Sequence, residues 1–136
     1  MILNQRQYKI TKAQMKRLQK NLELSKEKRN EMDKRIFNSM IAGIKSKISE
    51  LKNQIKEYEK IQNAKTINYS LENLHRVLIQ ARVAKGWTQK QLAKKLNIDA
   101  QQIQRYEISN YSSISLERAI DIFKALDINL KGRITL

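Results

Sequence analysis

Residues 74–107 read LHRVLIQARVAKGWTQKQLAKKLNIDAQQIQRYE, and two helix starts and two helix stops are written into them. Thr88-Gln-Lys-Gln91 has the form of a capping box, in which the threonine side chain and the glutamine three residues on satisfy each other's backbone N–H groups. Gly86, just before it, suits the left-handed residue that ends a preceding helix running through Leu74, Leu78 and Ala81, for which Ser70 is the expected cap. Leu92, Ala93 and Leu96 give the next helix its apolar face, and Asn97 is the other residue type that tolerates a left-handed stop. Ile98 plugs the corner. Asp99 then caps a further helix in which Ile103 turns inward while Gln101, Gln102 and Arg105 project outward. Two short helices joined by a tight turn, with the small Ala93 permitting close approach, describe a helix-turn-helix.

Outward from this segment, the period changes. From Met32 to Ile61 the apolar residues recur in steps of three and four: Ile41, Ile48 and Ile55 at one heptad position and Phe37, Ile44, Leu51 and Tyr58 at the other. With no proline and only Gly43 as a weak point, the spacing predicts one helix of about thirty residues, on the order of 45 Å long. A helix with so narrow a stripe must bury it against another. Upstream, Thr11-Lys-Ala-Gln14 again has the capping-box form, Met15, Leu18 and Leu22 follow at helical spacing, and Ser25–Asn30 lacks any apolar residue, as a hairpin turn would. Two helices with one stripe each still leave apolar surface uncovered, so a second copy of the chain is expected at the seam of Phe37, Ile41, Ile44, Ile48, Leu51, Ile55 and Tyr58. The polar stretch Gln62–Ser70 breaks the heptad. The expected architecture is all-α: a helical hairpin and coiled-coil dimerisation region over 1–65, then a helix-turn-helix domain over 66–136. At the C-terminus Ile128, Leu130, Ile134 and Leu136 alternate, which predicts a short strand there.

The residues of 74–107 resemble the helix-turn-helix of the phage repressor and Cro group, the XRE family, whose pattern L..AR...G.TQ.ELA..L.....I..YE is followed closely. The resemblance spans Ser70 to Asp127 and implies a five-helix domain that binds double-stranded DNA. It implies that Gln89 bonds a phosphate, that Ala100, Gln101, Gln102 and Arg105 face the major groove, and that Arg82 and Glu107 tie the first helix to the reading helix. The chemistry agrees with those roles: a Gln amide suits adenine N6 and N7, an Arg fork suits guanine O6 and N7, and an Ala methyl suits thymine. Where the family commonly has a Gly, basic residues and a Pro, this chain has a loop Ile108-Ser-Asn-Tyr-Ser-Ser-Ile114. Phosphate contacts there fall to the neutral Asn110, Tyr111 and Ser112, with Lys90 and Lys94 on the preceding helix to compensate. Trp87 reads as a hydrophobic staple, Tyr106 as core and His75 as an ordinary imidazole. The N-terminal hairpin joined to such a domain also resembles a bacterial subgroup that includes antitoxins.

Of the 136 residues, 28 are Lys or Arg and 13 are Asp or Glu, a net charge of +15. That favours an anionic partner, nucleic acid before an acidic membrane surface or an acidic protein. Residues 1–65 carry 17 basic and 7 acidic side chains, so most of the excess sits on the hairpin, where Lys-rich faces add a salt-sensitive attraction to phosphates. No cysteine and a single histidine exclude thiolate chemistry and His- or Cys-built metal centres, and no Gly-rich phosphate loop occurs, so neither an enzyme nor a cofactor is expected. No run of about eighteen apolar residues is present, so a membrane span and export are not expected, and a cytoplasmic location is. The function expected is a sequence-specific transcriptional regulator, acting as a homodimeric repressor on a palindromic operator. The alternative is an antitoxin that binds a toxin protein and represses its own operon.

Overall fold

The computed structural model describes residues 1–132, and among them every regular element is a helix. In chain order these are α1 (Gln5–Glu27), α2 (Lys34–Gln62), α3 (Leu74–Ala84), α4 (Gln89–Leu96), α5 (Ala100–Ile108) and α6 (Leu116–Ala125). The chain divides into two compact units, Met1–Lys60 and Ile61–Leu136.

The first unit is an antiparallel hairpin of α1 and α2. Its register is pinned where the start of α1 meets the end of α2. There the rings of Tyr8 and Tyr58 stack at 5.1 Å, the Tyr8 hydroxyl donates to Glu59, and Lys12 lies 3.8 Å from the same carboxylate. The cap of α1 is Asn4, whose side chain accepts from Gln7 N at 2.9 Å, and not the capping box expected at Thr11. Thr11 lies inside the helix, its hydroxyl donating to Gln7 O at 2.8 Å, because the half-buried Tyr8 extends the inward stripe a turn upstream. Asp33 starts α2 by accepting from Arg35 N at 2.8 Å, and α2 runs unbroken through Gly43. Phe37, Leu51, Ile55 and Tyr58 are buried within the hairpin, whereas Ile41, Ile44 and Ile48 are only half-buried and α1 has no buried residue.

The second unit packs α3, α4, α5 and α6 around Val77, Leu78, Leu92, Ile103, Ile122 and Leu126, none more than 4% exposed. Its first helix begins later than Ser70: Asn73 precedes Leu74, and its side-chain oxygen turns back to accept from Ser70 N at 2.7 Å, leaving the helix without a side-chain cap. The α3–α4 connection is fixed by Gly86 at φ 69° and by the capping box of Thr88 and Gln91, whose bonds measure 2.7 and 3.1 Å. Asn97 ends α4 in the left-handed region at φ 53°, and the Asp99 side chain caps α5 on Gln101 N at 2.7 Å. Ser115 caps α6 through Arg118 N at 3.1 Å.

Beyond α6 the described chain forms neither a fifth helix nor the strand expected from Ile128. Asp127 turns the backbone at φ 53°, and Ile128–Gly132 has no neighbouring strand to pair with. Ile128 and Leu130 instead lie half-buried beside Leu74 and Phe123, and Lys131 O accepts from the Tyr69 hydroxyl at 3.2 Å. Residues 133–136 of that expected strand lie outside the described residues.

Candidate nucleic-acid interface

On α5 the period of 3.6 residues sorts the side chains into two faces. Ile103 at 0% and Glu107 at 1% exposure anchor it to the core. Four residues apart on the opposite side, Gln101 and Arg105 are exposed. Gln102 and Ala100 flank that face at intermediate exposure. Two further residues belong to it that the pattern reading left out: Gln104 is exposed, and Ile108 is 67% exposed. Ile108 reads from sequence as the first loop residue, but it is the last residue of α5, one turn from Arg105. The signal that would have found both is the turn-by-turn continuation of the Gln101 to Arg105 stripe.

Beneath this face lies the one buried ion pair among the described residues. Arg82, 1% exposed, sends Nε to Glu107 Oε1 at 2.5 Å and Nη2 to Oε2 at 2.7 Å, a two-pronged geometry that fixes α3 and α5 in both distance and direction. Its third arm, Nη1, donates to Trp87 O at 2.6 Å and so holds the α3–α4 turn as well. Glu107 Oε2 also accepts from Gln89 Nε2 at 2.7 Å, which ties the first residue of α4 into the same network. Gln89 is therefore half-buried and engaged through its side-chain amide. Arg82, Trp87, Gln89 and Glu107 form a single lock beneath the exposed face of α5.

The neighbouring loop is less uniform than its composition suggests. Asn110 and Ser112 are exposed, as are Lys90 and Lys94 on α4. Tyr111 is not: it is 3% exposed, its ring tilts against Tyr106 at 5.8 Å, and its hydroxyl has no hydrogen-bond partner. A side chain so placed presents no donor to a phosphate, so the phosphate role expected of Tyr111 is withdrawn. The reason is backbone conformation. Asn110 and Tyr111 both take positive φ, 50° and 56°, and the turn swings the ring inward. For a tyrosine that conformation costs about 1–2 kcal/mol, offset here by burial of the ring.

Burial pushes the Tyr111 hydroxyl above its ordinary value of 10.0, with the Glu107 carboxylate adding to the rise. A pKa raised on folding means stability that is complete below the unfolded value and is lost as pH climbs past it. Tyr111→Phe removes a buried group that bonds nothing. It is expected to be neutral or stabilising by up to about 1–2 kcal/mol near neutral pH in urea titrations. Its advantage over the parent should widen above about pH 10, where the parent alone must ionise on unfolding. A loss above 1 kcal/mol would mean that the hydroxyl does have a partner.

Compared with known proteins, residues 78–132 match the family model described as helix-turn-helix, and no curated protein or solved structure matches the chain. The matched span begins inside α3 and takes in α4, α5 and α6, so it contains Arg82, Glu107 and the whole exposed face of α5.

Proposed function

We propose that the chain, whose residues 78–132 match a helix-turn-helix family model, is a DNA-binding transcription regulator of the XRE family and acts as a homodimeric repressor whose α5 reads base pairs in the major groove of a palindromic operator. The observation that carries this reading is the outward pairing of Gln101 and Arg105 on a helix whose other side is locked by Ile103 and Glu107. Gln101 offers a donor and an acceptor together for adenine, Arg105 a fork for guanine, and Ile108 an apolar surface for a thymine methyl. Lys90, Lys94, Asn110 and Ser112 surround that face with donors for phosphates, which set register without reading sequence. A dimer places two reading helices roughly 34 Å apart, on successive turns of one duplex face, and occlusion of polymerase follows from occupancy.

The base-reading assignment is tested on an operator selected from random DNA at fixed salt. Gln101→Ala or Arg105→Ala is expected to lower operator affinity by about 1–3 kcal/mol and to relax preference at one base pair per half-site. Equal weakening on operator and on random duplex would remove α5 from the reading role.

The dimer rests on the hairpin. A two-helix unit in which Ile41, Ile44 and Ile48 remain half-buried has apolar surface that a second hairpin would cover. Leu51 is already buried inside one hairpin, so the sharper probe is Ile41→Asp with Ile48→Asp. Light scattering should report a monomer for that variant with helicity largely kept, and an unchanged dimer mass would place the interface elsewhere.

A further inference from the structure

The first 22 residues contain six Lys or Arg and no Asp or Glu. Lys12 of these pairs with Glu59. The other five, Arg6, Lys9, Lys16, Arg17 and Lys20, are exposed, and none is in an ion pair among the described residues. At 3.6 residues per turn they fall within an arc of about 100° on α1, over a length of about 21 Å. That arc lies directly opposite the half-buried Tyr8, Met15, Leu18 and Leu22.

Such a stripe is not what a merely solvated helix face requires. Arg6 and Lys9, Arg17 and Lys20, and Lys16 and Lys20 stand three or four residues apart, where like charges repel. The first turn of α1 carries no acidic residue, so its positive charge also opposes the helix dipole. The exposed side of α2 shows the ordinary alternative, with Lys47 bonded to Glu50 at 2.7 Å. Beside the stripe lie Gln5 and Asn21, exposed neutral amides able to donate to phosphate oxygens.

We propose that the outer face of α1, through Arg6, Lys9, Lys16, Arg17 and Lys20, is a second DNA-binding surface that grips the phosphate backbone of duplex DNA without regard to sequence. A regular polyanion relieves the repulsion within the stripe, and binding releases the counterions condensed on the duplex. An anionic bilayer is the poorer fit, because the stripe is flanked by amides and the apolar side chains nearest it are the separated Ile10 and Leu24, not a continuous face. The surface makes the chain a two-point binder: α1 holds it near DNA, raising the effective concentration of the reading helix for its site. It rests on the reading of the chain as DNA-binding, but not on the identity of the base-reading residues.

The test uses the full chain and a random-sequence duplex, with fluorescence anisotropy over a range of salt. In one variant Arg6, Lys9, Lys16, Arg17 and Lys20 are all changed to Gln. In a second, Lys34, Lys45, Lys52, Lys56 and Lys60, exposed on α2, are changed to Gln, which removes the same charge from the other helix. The α1 variant is expected to flatten the slope of log K against log salt by about 2 to 4 and to weaken binding at least roughly tenfold at 0.1 M salt. The α2 variant should change the slope by less than half as much. An unchanged slope in the α1 variant overturns the proposal, and so does an equal effect from both sets, which would reduce the stripe to net charge. Loss of binding to phosphatidylserine vesicles with duplex binding intact also overturns it, in favour of a membrane surface. A failed base-reading assignment shows elsewhere, as undiminished operator preference in Gln101→Ala and Arg105→Ala.

Discussion

Glu107→Ala is expected to cost the second unit about 3–5 kcal/mol, the usual penalty for stranding one partner of a buried ion pair. The two side chains are 2% exposed for Arg82 and 0% for Glu107, so neither charge can be resolvated in place. With the carboxylate gone, the Arg82 guanidinium loses both prongs of the pair while keeping its bond to Trp87 O, and Gln89 Nε2 loses its acceptor too. Small domains are stable by about 5–15 kcal/mol in total, so the variant should be largely unfolded under mild denaturant. Urea unfolding followed by circular dichroism checks this. The informative companion is the double variant Arg82→Met with Glu107→Leu, which replaces both charges by apolar groups. It should recover most of the loss, because what a single deletion exposes is an uncompensated charge and not the net worth of the pair. A single-variant cost under 1 kcal/mol would show that the pair does not lock α3 to α5. If the double variant folds but loses operator preference, the ion pair's contribution is the angle at which α5 is held.

Ile103→Ala is expected to cost about 2–5 kcal/mol, by loss of buried methylenes and by the cavity left behind. Ile103 is 0% exposed and is the residue by which the middle of α5 enters the core beside Leu92 and Ile122, which are equally buried. Its position gives the loss a functional reading as well. The outward set of Gln101 and Arg105 is held in direction by what lies beneath it, and a void there lets the helix shift or roll. Operator affinity should therefore fall by more than the unfolded fraction accounts for, while binding to random duplex, carried by flexible lysines and by backbone electrostatics, falls less. Ile103→Val, which removes one methyl, is expected to cost about 0.5–1.5 kcal/mol and to keep base preference. If Ile103→Ala and Ile103→Val affected operator and random DNA in the same proportion, the packing beneath α5 would have no bearing on reading.

Much of the helix-turn-helix is legible in the sequence, because its punctuation is local. The capping box of Thr88 and Gln91, the left-handed Gly86 and Asn97, and the Asp99 cap each depend on bonds between residues two to five apart, so residue type at a fixed spacing is nearly the whole cause. Local rules also misled where two candidates competed. Thr11 fits a capping box, but the aromatic stack of Tyr8 on Tyr58 carries α1 further upstream and leaves Asn4 as the cap. Ser70 is a good cap in isolation, but Asn73 spends its side chain on the Ser70 N–H.

What the sequence by itself determined is the helical composition of the chain, the heptad stripe of α2, and the places where α4 and α5 begin and where α4 ends. What only the tertiary structure decided lies between residues far apart in the chain. Glu107 accepts from Arg82 and Gln89 across 25 and 18 positions, Tyr111 folds its ring inward instead of offering its hydroxyl, and Ile108 joins the exposed side of α5. The physical reason is the range of the forces involved. A cap or a left-handed stop is settled by bonds within one turn, whereas the burial of a charge or a ring is settled by which helix packs on the other side, and no window of neighbouring residues contains that helix.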